Sequence, residues 1–244
     1  FGAKAYENLK DALEGCEAVF TIVGYPKDVE EVYSGANGIF SAAQPGTIVV
    51  DMTTSEPTLA KKLFNQASER GIHSLDAPVS GGDIGAQNGT LSLMIGGDKA
   101  VFEQMQPIFE VFGQNIVYQG VAGSGQHTKM CNQIAIASGM IGVCEAIAYG
   151  LNAGLTMEDV LRSITAGAAG SWSLTNLAPR MLKEDLDPGF YIKHIIKDMK
   201  IALDEAERME LQLPGLSLAK SMYDQLLEEG YGDNGTQALI KYYQ

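Results

Sequence analysis

Short apolar runs alternate with helix-like segments in the first half of the chain, and this alternation constrains the fold more than any other feature. Residues 18–23, 47–51 and 73–77 are nearly continuous in apolar side chains and are bounded by turns. Such runs are typical of parallel strands that are buried on both faces. Residues 57–70 carry apolar side chains at helical spacing. The order strand, helix, strand therefore predicts an α/β fold with a Rossmann-like, doubly wound parallel sheet.

The pattern changes after residue 120, where no further strand is predicted. Residues 125–151 are apolar nearly all round a helix, so we expect this long helix to be buried on most sides. Gly and Pro turns then separate shorter helices, which we predict at residues 174–183, 191–211, 215–229 and 235–243. We therefore expect two domains: an α/β domain over residues 1–120 and an all-helical domain over residues 121–244, joined by the long helix.

Charge and composition exclude several classes of partner. The 244 residues carry 17 basic and 30 acidic side chains, which gives a net charge of −13. This charge opposes attraction to nucleic acid or anionic lipid, so we expect no nucleic acid and no membrane as a partner. No apolar run approaches the ~20 residues of a membrane-spanning helix, and we expect a soluble, cytoplasmic protein. We expect Cys16, Cys131 and Cys144 to be buried free thiols.

One helical segment presents a group of polar side chains. Residues 123–133 read GSGQHTKMCNQ, and on a helix Lys129, Asn132 and Gln133 stand at positions i, i+3 and i+4. An ammonium group and two amides therefore project from one face, where they could hold a small polar substrate.

A glycine turn follows the third predicted strand. Residues 76–82 read DAPVSGG, and the absence of side chains at Gly81 and Gly82 lets backbone amides approach an anion closely. The Ser80 hydroxyl adds a further donor. Ligands of doubly wound sheets bind beyond the carboxyl ends of the strands, where this turn is predicted to lie.

Four separated motifs resemble, in order, those of the β-hydroxyacid dehydrogenases, the family that contains 3-hydroxyisobutyrate dehydrogenase and tartronate semialdehyde reductase. The motifs are DMTTSEP at residues 51–57, DAPVSGG at 76–82, GSGQHTKMCNQ at 123–133 and KDMKIA at 197–202. The resemblance covers essentially the whole chain. It implies that residues 1–120 form a partial dinucleotide-binding domain with NAD or NADP as the cofactor. It further implies a small β-hydroxy acid or its semialdehyde or keto form as the substrate, and a homodimer or homotetramer.

The resemblance assigns roles to the residues of the helical motif. It implies that Lys129 is the general acid/base at the substrate oxygen, a task that a lysine can perform when burial lowers its pKa. The alternative is a surface lysine. Asn132 is expected to hydrogen-bond the substrate. Gln133, where relatives often carry a second asparagine, either contacts the substrate or is a satisfied polar residue within the helix.

The strand ends receive roles in the same way. The turn formed by Ser80, Gly81 and Gly82 is expected to hold the substrate carboxylate. Thr54 is expected to lie beside the nicotinamide of the cofactor. Val23 and Gly24 are expected to line the nucleotide through their backbone only.

The last third of the chain is implied to complete the site. Lys197 is expected to reach the cofactor, and Asp198 is expected to orient the Lys197 side chain. The alternative is a simple ion pair between Lys197 and Asp198. Trp172 is expected to wall the substrate pocket with Phe190, which we also assign to the cofactor site; a core position is the alternative for both. The histidines show no metal-ligand spacing, and no metal is expected.

The chain departs from the family pattern at one point. Family members begin with a strand and a Gly-rich turn for the cofactor pyrophosphate, and no Gly-x-Gly-x-x-Gly precedes residue 18. We expect that a βαβ unit of at least ~30 residues is absent from this sequence. The alternatives to a hydroxy acid dehydrogenase are an imine reductase, a 6-phosphogluconate dehydrogenase-like enzyme and a non-catalytic oligomerising fragment.

Overall fold

The computed structural model describes residues 2–244, which divide into two compact units, the first ending at Lys129 and the second spanning Met130–Gln244. The first unit contains one sheet and its flanking helices. Its strands are β1 Ala18–Thr21, β2 Ile48–Asp51, β3 His73–Asp76, β4 Val79–Ser80, β5 Leu91–Gly97 and β6 Gly113–Gly120. Its helices are α1 Leu9–Leu13, α2 Pro26–Ser34, α3 Ile39–Ala42, α4 Pro57–Ser68, α5 Gly82–Asn88 and α6 Lys99–Phe109. The domain boundary expected after residue 120 stays a prediction.

The sheet is mixed rather than wholly parallel. Strands β1, β2 and β3 pair in parallel, β5 pairs antiparallel with both β3 and β4, and β6 pairs in parallel with β5. A parallel connection needs a crossover of about a dozen residues or more. Only residues 81–90 lie between β4 and β5, so the chain reverses its direction there. The three predicted strands pair in parallel as expected, whereas β4, β5 and β6 were not predicted individually, and β5 runs antiparallel to its neighbours β3 and β4.

Both faces of the sheet are covered, as the doubly wound prediction requires. Along β2, Ile48 and Val50 belong to a core cluster with α6, whereas Val49 belongs to a second cluster with α2 and α4. Side chains alternate between the two faces of a strand. Since successive residues of one strand enter different cores, helices pack on each side of β2.

The second unit is helical. Helix α7, Ser124–Asn152, starts in the first unit and continues through the second. It is followed by α8 Met157–Thr165, α9 Trp172–Asn176, α10 Ala178–Leu182, α11 Ile192–Arg208, α12 Pro214–Glu228 and the 3₁₀ segments Tyr231–Asp233 and Thr236–Tyr243. The helix predicted over 174–183 is interrupted at Leu177, and Pro179 stands in the first turn of α10. Proline is well tolerated there because the first helical N–H groups have no partner within the helix.

Helix α7 is long and apolar enough, by length and composition, to cross a membrane, contrary to the expectation from sequence. Its residues Met140, Cys144 and Ile147 are buried in the core cluster of the second unit, so it serves there as a core helix. Burial is less complete than predicted, because Ala135 and Gly142 on the same helix are exposed.

Candidate functional site

The loops that follow β1 and β2 are joined by the side chain of Thr53. The Val23 backbone N–H donates to Thr53 Oγ1 over 3.0 Å, and the Thr53 backbone N–H donates to Asp51 Oδ1 over 3.0 Å. Thr53 is buried, and Thr54 next to it is half-buried. The carboxyl ends of two parallel strands are thereby held together, with the Thr54 side chain between anchored neighbours.

Gln126 connects this loop to the first turn of α7. Its Nε2 donates to the Thr53 carbonyl oxygen over 2.7 Å, and its Oε1 accepts from the Ser55 backbone N–H over 2.9 Å. The side chain is 0% exposed. Both ends of the amide are therefore bonded to backbone on either side of Thr54. No functional role for Gln126 is predicted from the sequence.

Asp76, the last residue of β3, accepts hydrogen bonds from backbone groups around the start of α7. Its Oδ1 accepts from Gly123 N–H over 2.7 Å and its Oδ2 from Gln126 N–H over 2.9 Å. A carboxylate is favourable at a helix N-terminus because the first N–H groups are unpaired and carry partial positive charge. The motifs at 76–82 and 123–133 are thus joined through Asp76, which the sequence analysis did not single out as a functional residue.

The approach of α7 to the sheet depends on glycine. A Cβ atom at Gly125 would contact Met94 O and lie 2.7 Å from Asp76 O. A Cβ atom at Gly96 would lie 2.6 Å from Asp76 Oδ1. Both distances are shorter than van der Waals contact, so only glycine allows the strand ends and the helix to come this close.

Two buried carboxyl groups lie on adjacent strands at this edge. Asp51 and Asp76 are register partners of β2 and β3. Burial is the main cause that raises the pKa of Asp51 to about 6; hydrogen bonds from Thr53 and Thr21 act against it, and the charge of Asp76 adds to it. Burial also raises the pKa of Asp76, against the hydrogen bonds from Gly123 and Gln126.

Lys129 lies one turn beyond Gln126 on α7 and is buried, with 7% of its surface exposed. The alternative of a surface lysine is therefore wrong. A buried lysine near the carboxyl ends of strands is a candidate for proton transfer, because its ammonium group is largely removed from bulk water.

The turn expected to bind a carboxylate has the backbone that its glycines predict. Gly81 has φ 130° and Gly82 has φ 63°, conformations that residues with side chains rarely adopt. A Cβ atom at Gly82 would meet nothing within 4 Å, so conformation rather than crowding requires glycine there. Gly81 and Gly82 are exposed and Ser80 is half-buried, which leaves their backbone accessible to a small anion.

Four of the predicted residues form one hydrogen-bonded network in the second unit. Asn132 Nδ2 donates to Gln133 Oε1 over 2.7 Å, and Gln133 Nε2 donates to Asp198 Oδ2 over 2.6 Å. Lys197 Nζ lies 3.1 Å from Asp198 Oδ1. Gln133 is 1% exposed and Asp198 2% exposed. Gln133 thus has satisfied hydrogen bonds within the protein, and Lys197 forms the ion pair with Asp198 that was the alternative to a cofactor contact; a role of Lys197 toward the cofactor stays a prediction.

The remaining predicted residues have mixed environments. Trp172 begins α9 and is 70% exposed, so the alternative of a core position is wrong for this residue. Phe190 is partly buried against the core of the second unit. Cys16 and Cys131 are exposed, contrary to expectation, and only Cys144 among the three is buried. Within residues 2–244, no group of three or more His, Cys, Asp or Glu side chains could hold a metal ion.

The residues at the sheet edge fit the carboxamide and the ribose of the nicotinamide half of a dinucleotide. Thr54 offers a half-buried hydroxyl group, and Val23 and Gly24 offer backbone in a turn where position 24 has no side chain. Ser55 Oγ is buried and has no hydrogen-bond partner among residues 2–244. Such neutral donors and acceptors suit a carboxamide or a ribose hydroxyl.

Comparison with known proteins gives consistent matches along the whole chain. Residues 1–120 match the family described as the NAD binding domain of 6-phosphogluconate dehydrogenase. Residues 123–243 match the family described as NAD-binding of NADP-dependent 3-hydroxyisobutyrate dehydrogenase.

Two relatives and one solved structure illustrate the similarity. An uncharacterised oxidoreductase of Bacillus subtilis is 61% identical over 98% of this chain and 83% of its own length. The 2-hydroxy-3-oxopropionate reductase of Escherichia coli is 37% identical over 98% of this chain and 82% of its own length. A structure of Mycobacterium tuberculosis 3-hydroxyisobutyrate dehydrogenase with L-serine has a TM-score of 0.88 at 28% identity, over 97% of this chain and 82% of that chain.

Proposed function

Because the chain belongs to the β-hydroxyacid dehydrogenase family, we propose that it interconverts a small β-hydroxy acid and its semialdehyde or keto form, with Lys129 as the general acid/base. The protein is an oxidoreductase of the NAD(P)-dependent type. The observation that carries the proposal is the buried Lys129 on a helix whose first turn is bonded to the loop after β2 and to the end of β3.

Lys129 moves the proton of the reaction. In oxidation, its neutral amine accepts the proton of the substrate hydroxyl group as the carbonyl forms. In reduction, its ammonium group returns that proton to the oxygen. The cofactor, when bound, would accept a hydride from, or donate it to, the substrate carbon that carries this oxygen.

The substrate is held by neutral donors in this proposal. The Ser80 hydroxyl and the backbone of Gly81 and Gly82 bind the carboxylate, and Asn132 binds the substrate hydroxyl or carboxylate. The bond between Asn132 and Gln133 favours a positioning role for Gln133 over direct substrate contact, because it orients the Asn132 amide. The exposed Trp172 is proposed as a wall of the substrate pocket.

The cofactor is NAD or NADP. We propose that Val23, Gly24 and Thr54 contact its nicotinamide half. In the second unit, Lys197 and Phe190 are the proposed contacts, and Asp198 keeps Lys197 in place through the ion pair at 3.1 Å. We further propose a cytoplasmic homodimer or homotetramer.

An activity panel tests the proposal. The chain is assayed for oxidation of 3-hydroxyisobutyrate, L-serine and 6-phosphogluconate with NAD⁺ and with NADP⁺, for reduction of 2-hydroxy-3-oxopropionate, and for reduction of a cyclic imine. Turnover of a β-hydroxy acid or semialdehyde supports the proposal. Turnover of the imine alone would favour an imine reductase, turnover of 6-phosphogluconate would favour that relative, and no turnover with no cofactor binding would favour a non-catalytic oligomerising role.

A further inference from the structure

The Gln126 side chain forms two buried hydrogen bonds to backbone, and its own backbone N–H forms a third bond, to the Asp76 carboxylate. Its Nε2 donates to Thr53 O, its Oε1 accepts from Ser55 N–H, and its own backbone N–H donates to Asp76 Oδ2. The residues that its amide contacts stand directly before and after Thr54. A single side chain therefore restrains the backbone on both sides of a proposed cofactor contact.

The same side chain sits one helical turn before the proposed acid/base. Gln126 and Lys129 are three positions apart on α7, so they lie on neighbouring positions of one helix face, about 4.5 Å apart along its axis. The start of this helix is also bonded to Asp76 at the end of β3. Gln126 thus links the helix that carries Lys129 to the loop that carries Thr54.

We propose that Gln126 is a positioning residue that sets Thr54 at a fixed distance from Lys129, and this inference rests on the proposed function. Proton transfer and hydride transfer act on neighbouring atoms of one substrate, so the cofactor contact and the acid/base must be held in a common frame. A misplacement of about 1 Å in such a frame can cost about 10² in rate.

Glutamine suits this task better than related side chains. One backbone group is an acceptor and the other a donor, so the residue must donate and accept at once. An ionised glutamate accepts only, and asparagine is one methylene shorter and cannot reach both backbone groups from the same helix position. Methionine fills a similar volume and makes neither bond.

The test compares Gln126→Met with a matched control. Gln237 is also buried at 1% exposed, and its Nε2 donates to the carbonyl oxygens of Asp185 and Asp187 in the second unit. Gln237→Met therefore removes comparable bonds away from the proposed site. We expect kcat/KM to fall about 10- to 100-fold in Gln126→Met and to change less than about twofold in Gln237→Met, at similar losses of thermal stability.

Two further readouts separate positioning from general destabilisation. Hydrogen exchange at the Ser55 amide should be at least about 10-fold faster in Gln126→Met, because the buried acceptor is lost. In a Thr54→Ala background, Gln126→Met should lower kcat/KM far less than in the wild type, because the restrained contact is already gone. If Gln126→Met does not fold, Gln126→Asn is used, with the same expected directions.

The outcomes distinguish this inference from the proposed function. If Lys129→Ala abolishes turnover while Gln126→Met keeps the wild-type kcat/KM, the inference is overturned and the proposed function stands. If the effects of Thr54→Ala and Gln126→Met on kcat/KM multiply independently, the inference is also overturned. Unchanged turnover in Lys129→Ala would remove the proposed function and the inference with it.

Discussion

Replacing Asp76 should lower the unfolding free energy of the first unit by several kilocalories per mole, because its carboxylate accepts backbone hydrogen bonds at the start of α7. Asp76 is 5% exposed and accepts two backbone hydrogen bonds, at 2.7 Å from Gly123 and 2.9 Å from Gln126. Asp76→Asn keeps one acceptor oxygen and turns an NH₂ group toward the other backbone donor. Asp76→Ala removes both acceptors and leaves two N–H groups without a partner.

The magnitude follows from the bonds that are lost. A hydrogen bond to a charged group contributes about 1.5–3 kcal/mol, and an unsatisfied buried donor costs about 1–3 kcal/mol. Burial raises the pKa of Asp76, so part of the gain from the carboxylate is offset by its desolvation. At pH 7 we therefore expect losses in unfolding free energy of about 2 kcal/mol for Asp76→Asn and about 4 kcal/mol for Asp76→Ala.

The assay is equilibrium urea unfolding followed by far-UV circular dichroism at 25 °C, with the slope m checked for each variant. Asp98→Asn is the matched control, since Asp98 precedes α6 without a side-chain capping bond; it should change stability by less than about 0.5 kcal/mol. An Asp76→Ala protein as stable as this control would refute the structural role given to the carboxylate.

Three further predictions concern other parts of the chain. Because burial raises the pKa of Asp51 from 3.8 to about 6, the stabilisation from its bound proton is fully present below pH 3.8 and is lost as pH rises through about 6. In Asp51→Asn, the fall in unfolding free energy over this pH range should be smaller by up to about 3 kcal/mol, measured by urea unfolding at several pH values. A pH profile identical to that of the wild type would contradict this prediction. Gly125→Ala should destabilise by about 1–3 kcal/mol or more through overpacking, whereas Gly139→Ala, into open space on the same helix, should stabilise by up to about 1 kcal/mol; equal thermal midpoints would refute this difference. Iodoacetamide should label the exposed Cys131 in the native protein and spare Cys144, because Cys144 is buried and its burial raises the pKa of the thiol to about 12. Peptide mass spectrometry measures the labelling, and equal rates at the two cysteines would contradict the burial of Cys144.

Local sequence patterns predicted the strands and helices whose apolar residues follow a regular spacing along the chain. The runs that became β1, β2 and β3 and the amphipathic segment of α4 were identified within a few residues. β4, β5 and β6 were not predicted, and the antiparallel pairing of β5 with β3 depends on contacts between strands that are distant in sequence.

The site could be predicted where polar residues share one helix, and not where partners are distant in sequence. Lys129 and Asn132 stand out because helical spacing places them together. Asp76 and Gly123 are 47 positions apart, and nothing local indicates which carboxyl group will accept a given backbone N–H. The role of Gln126 was missed for the same reason, since its partners near residue 54 are backbone groups.

The most direct test of the account is turnover by Lys129→Ala, compared with the wild type on the best hydroxy acid of the panel and accompanied by titration with the preferred cofactor. We expect kcat to fall by about 10² or more, as for loss of a general acid/base, with little change in cofactor affinity. A rate equal to that of the wild type would contradict the assignment of Lys129.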